Sequence, residues 1–280
     1  MAIDDQPEVG LTVSTPLGTY DIPREPNRVF AVDSRTDFET AVALGLSVVA
    51  TSLRAPTPWV PAPDGIQILD GPINLEQVIK LEPDLIVCSG VDDGEYWPTT
   101  ALNKIAPVLP TDFQLGWKND LTRTADWLGR RDRAESLIAE YDQKLVEVRR
   151  RHESVIERAR VVHLQYVPSS ASFIVNARGR LQTEILSDMG GHLFGDEHDA
   201  TADAMVSLEV IGQYGGADGF LVQNTDSTST LASMNNLPIW RDLPAVREGR
   251  VVETRGNVNY GGIYTAGEVI RNWSALYDTM

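Results

Sequence analysis

Asn74-Leu75-Glu76-Gln77-Val78-Ile79 runs through Pro83-Asp84 into Leu85-Ile86-Val87-Cys88. The second half repeats the pattern as Ser207-Leu208-Glu209-Val210-Ile211, then Ala217-Asp218, then Gly219-Phe220-Leu221-Val222. Each copy reads as a capped short helix, a polar break carrying an aspartate, and an apolar strand. One such element in each half predicts two similar lobes, with a ligand between them or a partner reaching both.

Outward from the first copy, Arg28-Val29-Phe30-Ala31-Val32 is an unbroken apolar strand of the kind covered on both faces. A helix carrying Phe38, Ala41, Val42 and Leu44 follows and stops at Gly45, and Ser47-Val48-Val49-Ala50 is the next strand. Leu11-Thr12-Val13 and Tyr20-Asp21-Ile22 flank Pro16-Leu17-Gly18 as a hairpin. The order predicts an α/β fold of two Rossmann-like lobes with mainly parallel sheets. From Asp132 to Arg160, Leu137, Ile138, Tyr141, Leu145, Val148, His152, Val155 and Ile156 recur at helical spacing without Gly or Pro. The spacing predicts one long helix, read as a strut between lobes. The expected organisation is therefore an N-terminal lobe over 9–130, a connecting helix over 131–159 and a C-terminal lobe over 160–280. In the second lobe Val161–Leu164 and Ser172–Val175 read as strands, Leu181–Met189 as a helix ended by Gly190-Gly191, and Ile263–Tyr277 as a closing helix.

Composition narrows the function. The 280 residues carry a net charge of −16, which argues against nucleic acid or an anionic membrane as partner. No apolar run approaches the roughly 20 residues of a membrane span. Met1-Ala2-Ile3-Asp4-Asp5-Gln6 lacks the basic and apolar regions of a signal peptide, so the reading is either a cytoplasmic protein or one whose export segment is absent from this chain. Cys88 is the one cysteine and ends a strand, where a thiol acts as a small hydrophobe. No Walker A loop, GxGxxG, GxSxG or HExxH occurs. Of the four histidines, His163 reads as a hydrogen-bonded core residue. His192 and His198, six apart among carboxylates, fit a solvated acidic loop better than a metal site. No carboxylate pair stands out for acid–base catalysis, and an enzyme is not expected.

In open α/β sheets, ligands bind beyond the carboxyl ends of the strands. Past the strands of the first lobe come Ser34 and Arg35, then Arg54 and Trp59 in a loop with four prolines, then Tyr96 and Trp97. The second lobe offers Tyr166, Asn224, Asn257, Asn259, Tyr260 and Tyr264. Large aromatics with a few polar donors suit a bulky, partly apolar ligand that carries oxygens. Packing against neighbouring loops is the alternative, for Trp97 and Tyr264 above all. Glu76 and Glu209 each sit in a first helical turn, where the helix dipole favours a carboxylate by roughly 0.3–1 kcal/mol. That explains either glutamate but not their repetition.

Several stretches together resemble the substrate-binding proteins of ABC importers for ferric siderophores, heme and cobalamin, the periplasmic-binding class with a helical backbone. They are Gly18-Thr19-Tyr20-Asp21-Ile22-Pro23 with Pro26-Asn27-Arg28-Val29, Ala43-Leu44-Gly45, and Asn74-Leu75-Glu76 to Leu81-Glu82-Pro83-Asp84-Leu85-Ile86. Lys104-Ile105-Ala106-Pro107 and Trp240-Arg241-Asp242-Leu243-Pro244-Ala245-Val246 with Gly249-Arg250-Val251 complete the set. The resemblance implies a monomeric binding protein without an intrinsic cofactor, its ligand cleft between the lobes. It would be extracytoplasmic, periplasmic or lipid-anchored, and would capture a ferric siderophore, with a hydroxamate type favoured. It also implies that Glu76 and Glu209 dock on arginines of a permease dimer, homomeric or heteromeric, and that Asp132 opens the family's strut. Many siderophore binders of this class carry an arginine just before Asn-Leu-Glu, where this chain has Leu69-Asp70-Gly71-Pro72-Ile73. Arg54 or Arg35 takes that place, or the ligand needs no such charge. Heme with Tyr96 or Tyr260 as axial ligand, and cobalamin, are the alternative ligands. An intracellular chelate binder and a reductase are the remaining readings.

Overall fold

A computed structural model describes residues 10–90, 93–175, 179–195, 203–224 and 230–280. The chain forms two compact units, Met1–Ala139 with Gly261–Tyr264, and Glu140–Tyr260 with Thr265–Met280.

The first unit opens with the expected hairpin, β1 (Leu11–Thr15) antiparallel to β2 (Gly18–Ile22). Its sheet contains β3 (Val29–Asp33), β4 (Val48–Ser52), β5 (Gln67–Leu69), β6 (Leu85–Ser89) and β7 (Val108–Thr111). All are parallel, in the order β5-β4-β3-β6-β7, so every carboxyl end lies on one edge. Every residue of β3 is buried, as its unbroken apolar run requires. Phe30, Val32, Ile86, Cys88 and Val108 form a core with Val78, Leu81 and Leu102 from the helices. Burial together with the nearby Asp37 carboxylate pushes the Cys88 thiol up, which keeps it an apolar filler.

In the second unit the strands are β8 (Arg160–Val167), β9 (Ser172–Val175), β10 (His192–Leu193), β11 (Ala204–Ser207), β12 (Gly219–Val222) and β13 (Val251–Glu253). The order is β11-β9-β8-β12-β13, with β10 also on β8. β9 and β11 are antiparallel, a departure from strict alternation. The turn Pro168–Ser170 is too short for a crossover and permits only a hairpin after β8. Trp240 is fully buried, with its ring 5.0 Å from Phe220 and 6.4 Å from Phe173.

The repeated sequence occupies matching places. β6 lies between β3 and β7, and β12 lies between β8 and β13. Its aspartate does one job twice. Asp84 accepts the Asn27 and Arg28 amide N–H groups at 2.7 and 3.0 Å, and Asp218 accepts the Arg160 amide at 2.7 Å. Each carboxylate thus fastens the start of its own strand to the start of the neighbouring one.

Three local expectations need correction. The helix Leu75–Lys80 is capped, with the Asn74 side chain accepting from the Glu76 and Gln77 amides, but its counterpart Leu208–Tyr214 is a 3₁₀ helix without a side-chain cap from Ser207. β11 runs directly into Ser207, so this residue stays extended and its hydroxyl does not turn back. The long helix spans Arg131–Arg151 and a separate short helix spans Glu153–Ile156. His152 leaves helical geometry between them at φ −112°, ψ 15°, and its ring meets the Ser274 hydroxyl at 2.9 Å. Tyr264 clusters with the first unit, not the second, because the buried carboxylate of Glu39 accepts the Gly262 and Tyr264 amides at 2.9 and 3.1 Å. No helix among the described residues is long and apolar enough to cross a membrane.

Candidate functional site

The parallel sheet of the first unit delivers Arg35, Arg54, Trp59, Tyr96 and Trp97 to loops that follow the carboxyl ends of β3, β4 and β6. Arg54 and Tyr96 are exposed, and Trp59 is half-buried. The loops carrying Arg54 and Tyr96 meet at Gly71. A Cβ there would collide with the Leu53 side chain and stand 3.6 Å from the Tyr96 ring, so glycine lets the two loops close on each other. Trp97 points the other way. Its indole packs against the core around β6, 6.1 Å from the Tyr96 ring.

Beneath these loops lies a polar layer that sequence reasoning missed. Asp37 is fully buried in the helix Thr36–Ala43. One of its oxygens accepts the amides of Asp33 and Ser89 at 2.8 and 2.9 Å, and the other accepts the hydroxyls of Ser89 and Thr111 at 2.7 and 2.5 Å. A single carboxylate therefore joins the carboxyl ends of β3, β6 and β7. Burial, and then repulsion from Asp33, raises it to about 7 against the pull of its donors. Asp33 in turn holds Arg35, accepting its amide at 2.6 Å and its guanidinium at 3.2 and 2.8 Å. A hydrophilic residue three or four places beyond a buried strand is the only sequence signal for Asp37, and it is a weak one.

In the second unit, β8, β12 and β13 bring forward Tyr166, Asn224, Asn259 and Tyr260. Tyr260 is exposed, and the others are half-buried. Tyr166 spends its ring on the core, 5.2 Å from Phe173. Asn224 accepts the Thr230 hydroxyl at 3.3 Å, and its amide reaches Thr254 at 2.9 Å. Asn257 accepts the Asn259 amide at 2.9 Å, and the Asn259 oxygen accepts from Gln182 at 2.5 Å. Gln182 also meets the buried His163 ring at 3.3 Å, which makes His163 the hydrogen-bonded core residue expected of it. Arg180, unremarked in the sequence, opens the helix Leu181–Asp188, bonds Asp203 at 3.4 and 2.7 Å, and donates to the Tyr260 hydroxyl.

Glu76 and Glu209 are both exposed in the first turns of their helices. His192 is half-buried in β10, and His198 lies outside the described residues. No cluster of three or more His, Cys, Asp or Glu side chains suited to a metal ion occurs among the described residues. Among the described strand-end residues, Tyr96 and Tyr260 expose aromatic rings, and Asn224 and Asn259 are half-buried.

The model of the family described as periplasmic binding protein matches residues 40–258, more than three quarters of the sequence. The chain belongs to the periplasmic binding protein family. It is 25% identical over 254 residues to the iron(3+)-hydroxamate-binding protein YxeB of Bacillus subtilis, covering 86% of this chain and 76% of that one. The iron(3+)-hydroxamate-binding protein FhuD of Escherichia coli is 26% identical over 264 residues, 88% of this chain and 86% of its own. In fold, the chain is similar to a periplasmic solute-binding protein of Mycobacterium smegmatis, with TM-score 0.78 and 20% identity over 96% of this chain and 98% of the other. Members of this family are binding proteins.

Proposed function

We propose that this protein is the substrate-binding component of an ABC importer. It captures a ferric siderophore, of hydroxamate type, outside the cytoplasm and passes it to a permease without changing it chemically. The observation that carries the reading is similarity over most of the chain to two iron(3+)-hydroxamate-binding proteins. The strand ends support it. Tyr96, Trp59 and Tyr260 offer rings to the apolar skeleton of a chelate, while Asn224 and Asn259 offer amides to its oxygens. Glu76 and Glu209 are the permease contacts in this reading, because the repeat sets both, exposed, just before the matching strands β6 and β12.

The experiment follows tryptophan fluorescence during titration with a ferric trihydroxamate, six tryptophans being available as reporters. Saturable quenching supports capture, and its absence with every ferric chelate tried refutes it. Reversing the charge of Glu76 and Glu209 separates delivery from capture. Uptake by cells should then stop while affinity stays unchanged, and a loss of affinity would place these residues at the ligand.

A further inference from the structure

Among the described residues, three arginines near the strand ends are already paired with carboxylates. Arg35, after β3, is held by Asp33 through three hydrogen bonds, with side chains 16% and 4% exposed. Arg180, which donates to the candidate ligand residue Tyr260, is held by Asp203 through two. Arg255, beyond β13, is gripped at 2.8 and 2.7 Å by Glu268, which it shares with Arg271. Arg54 is exposed on the loop after β4, while Asp70 after β5 and Asp93 and Glu95 after β6 are exposed on neighbouring loops, Asp70 beside the Gly71–Tyr96 contact. The whole chain carries −16. An anionic ligand that sought any of these three guanidiniums would have to draw it from a carboxylate it already bonds in two places.

We propose that Asp33 and Asp203 are specificity-determining residues, which by occupying Arg35 and Arg180 set the protein to accept uncharged or cationic ferric chelates and to reject anionic ones. This rests on the ferric-siderophore reading and adds to it the charge class of the ligand, together with the residues that impose it. A hydroxamate group loses one proton when it binds iron, so three of them cancel the charge of Fe(III). Three catecholates lose two each and leave a trianion. The chemical distinction the two aspartates would draw is therefore between these chelate types.

The test measures dissociation constants for a monocationic linear ferric trihydroxamate, an uncharged cyclic ferric trihydroxamate and a trianionic ferric tris-catecholate. The proteins are the wild type and the variants Asp33→Asn, Asp203→Asn and Asp132→Asn. Asparagine at 33 retains an oxygen for the Arg35 amide. Asp203 is partly exposed, so its variant keeps the test decisive if the buried position does not tolerate change. Exposed Asp132 on the long helix controls for the simple loss of one negative charge. The wild type should bind the trianion at least about tenfold more weakly than either hydroxamate chelate. Each of Asp33→Asn and Asp203→Asn should narrow that ratio by about tenfold, the Coulomb effect of one uncovered charge on a trianion about 10 Å away at water-like dielectric. Added salt should shrink the change, and Asp132→Asn should leave the ratio where it was. Equal or tighter wild-type binding of the trianion overturns the inference while leaving siderophore capture standing, as does an unmoved ratio in folded Asp33→Asn and Asp203→Asn proteins. Binding of none of the three chelates overturns the siderophore reading and this inference with it.

Discussion

Replacing Asp37 by asparagine should change how stability depends on pH more than it changes the fold. The side chain is fully buried and takes four hydrogen bonds, two from amides and two from hydroxyls. An asparagine of the same shape can set its oxygen toward the amides of Asp33 and Ser89 and donate from its NH2 to the hydroxyls of Ser89 and Thr111, which rotate to accept. The carboxyl is raised from 3.8 to about 7. The folded state therefore holds this proton more tightly than the unfolded state. Its contribution to stability is complete below the unfolded value of 3.8 and is lost as pH rises through about 7. At about 1.4 kcal/mol per pH unit, the whole swing is on the order of 4 kcal/mol. Urea unfolding of both proteins at steps from about pH 4 to about pH 8 gives the difference directly. Asp37→Asn should gain on the wild type across that range by up to about 4 kcal/mol. A difference that stays constant with pH, or moves the other way, would refute the assignment of a proton-holding carboxyl beneath the first unit's strand ends.

Other consequences are simpler to check. Asn74→Ala should cost about 1 kcal/mol in denaturant unfolding, because the cap bonds to Glu76 and Gln77 are lost. Ser207→Ala should cost only a few tenths, since that hydroxyl caps nothing. Equal costs at the two positions would contradict the difference between the copies. Trp240→Ala should cost about 3–5 kcal/mol by emptying the second unit's core. Trp240→Phe should cost well under half of that, because the buried indole N–H has no hydrogen-bond partner to lose. His152 is lowered by burial, so stability resting on its neutral ring is present above the ordinary histidine range and lost as pH falls through the depressed value. In His152→Gln, acid unfolding should lose that component of its pH dependence.

Much of the fold was legible because it rests on unbroken or periodic apolar signals. β3, β6, β12 and the closing helix Ile263–Tyr277 fell where periodicity placed them. The strands that escaped notice lack a clean apolar run: β5 and β10 have three and two residues, β7 contains Pro110, and β11 is exposed at three of its four positions. The break at His152 was invisible for a different reason. Its cause includes a contact with Ser274, far along the chain, while local sequence favours helix throughout. The candidate residues divide in the same way. Position after a strand found the first unit's loops at the carboxyl edge, but Tyr166 lies inside β8 and Tyr264 inside the closing helix, and position does not tell an outward ring from an inward one. Tyr96 is exposed while its neighbour Trp97 packs on the core. Asp33 and Asp37 in the first unit, and Arg180 and Gln182 in the second, were missed because their meaning lies in partners brought together by folding, and a lone aspartate or arginine in sequence carries no trace of them.

The central proposal is that this protein captures an iron chelate, and calorimetric titration of the purified chain tests it most directly. A ferric trihydroxamate should bind with saturation at an equimolar ratio and a dissociation constant of micromolar or below, corresponding to roughly 8 kcal/mol or more. The iron-free chelator should bind far more weakly, its hydroxamates being neither deprotonated nor gathered around a metal. Failure to detect heat or saturation with any ferric chelate, or equal affinity for the iron-free form, would contradict the account.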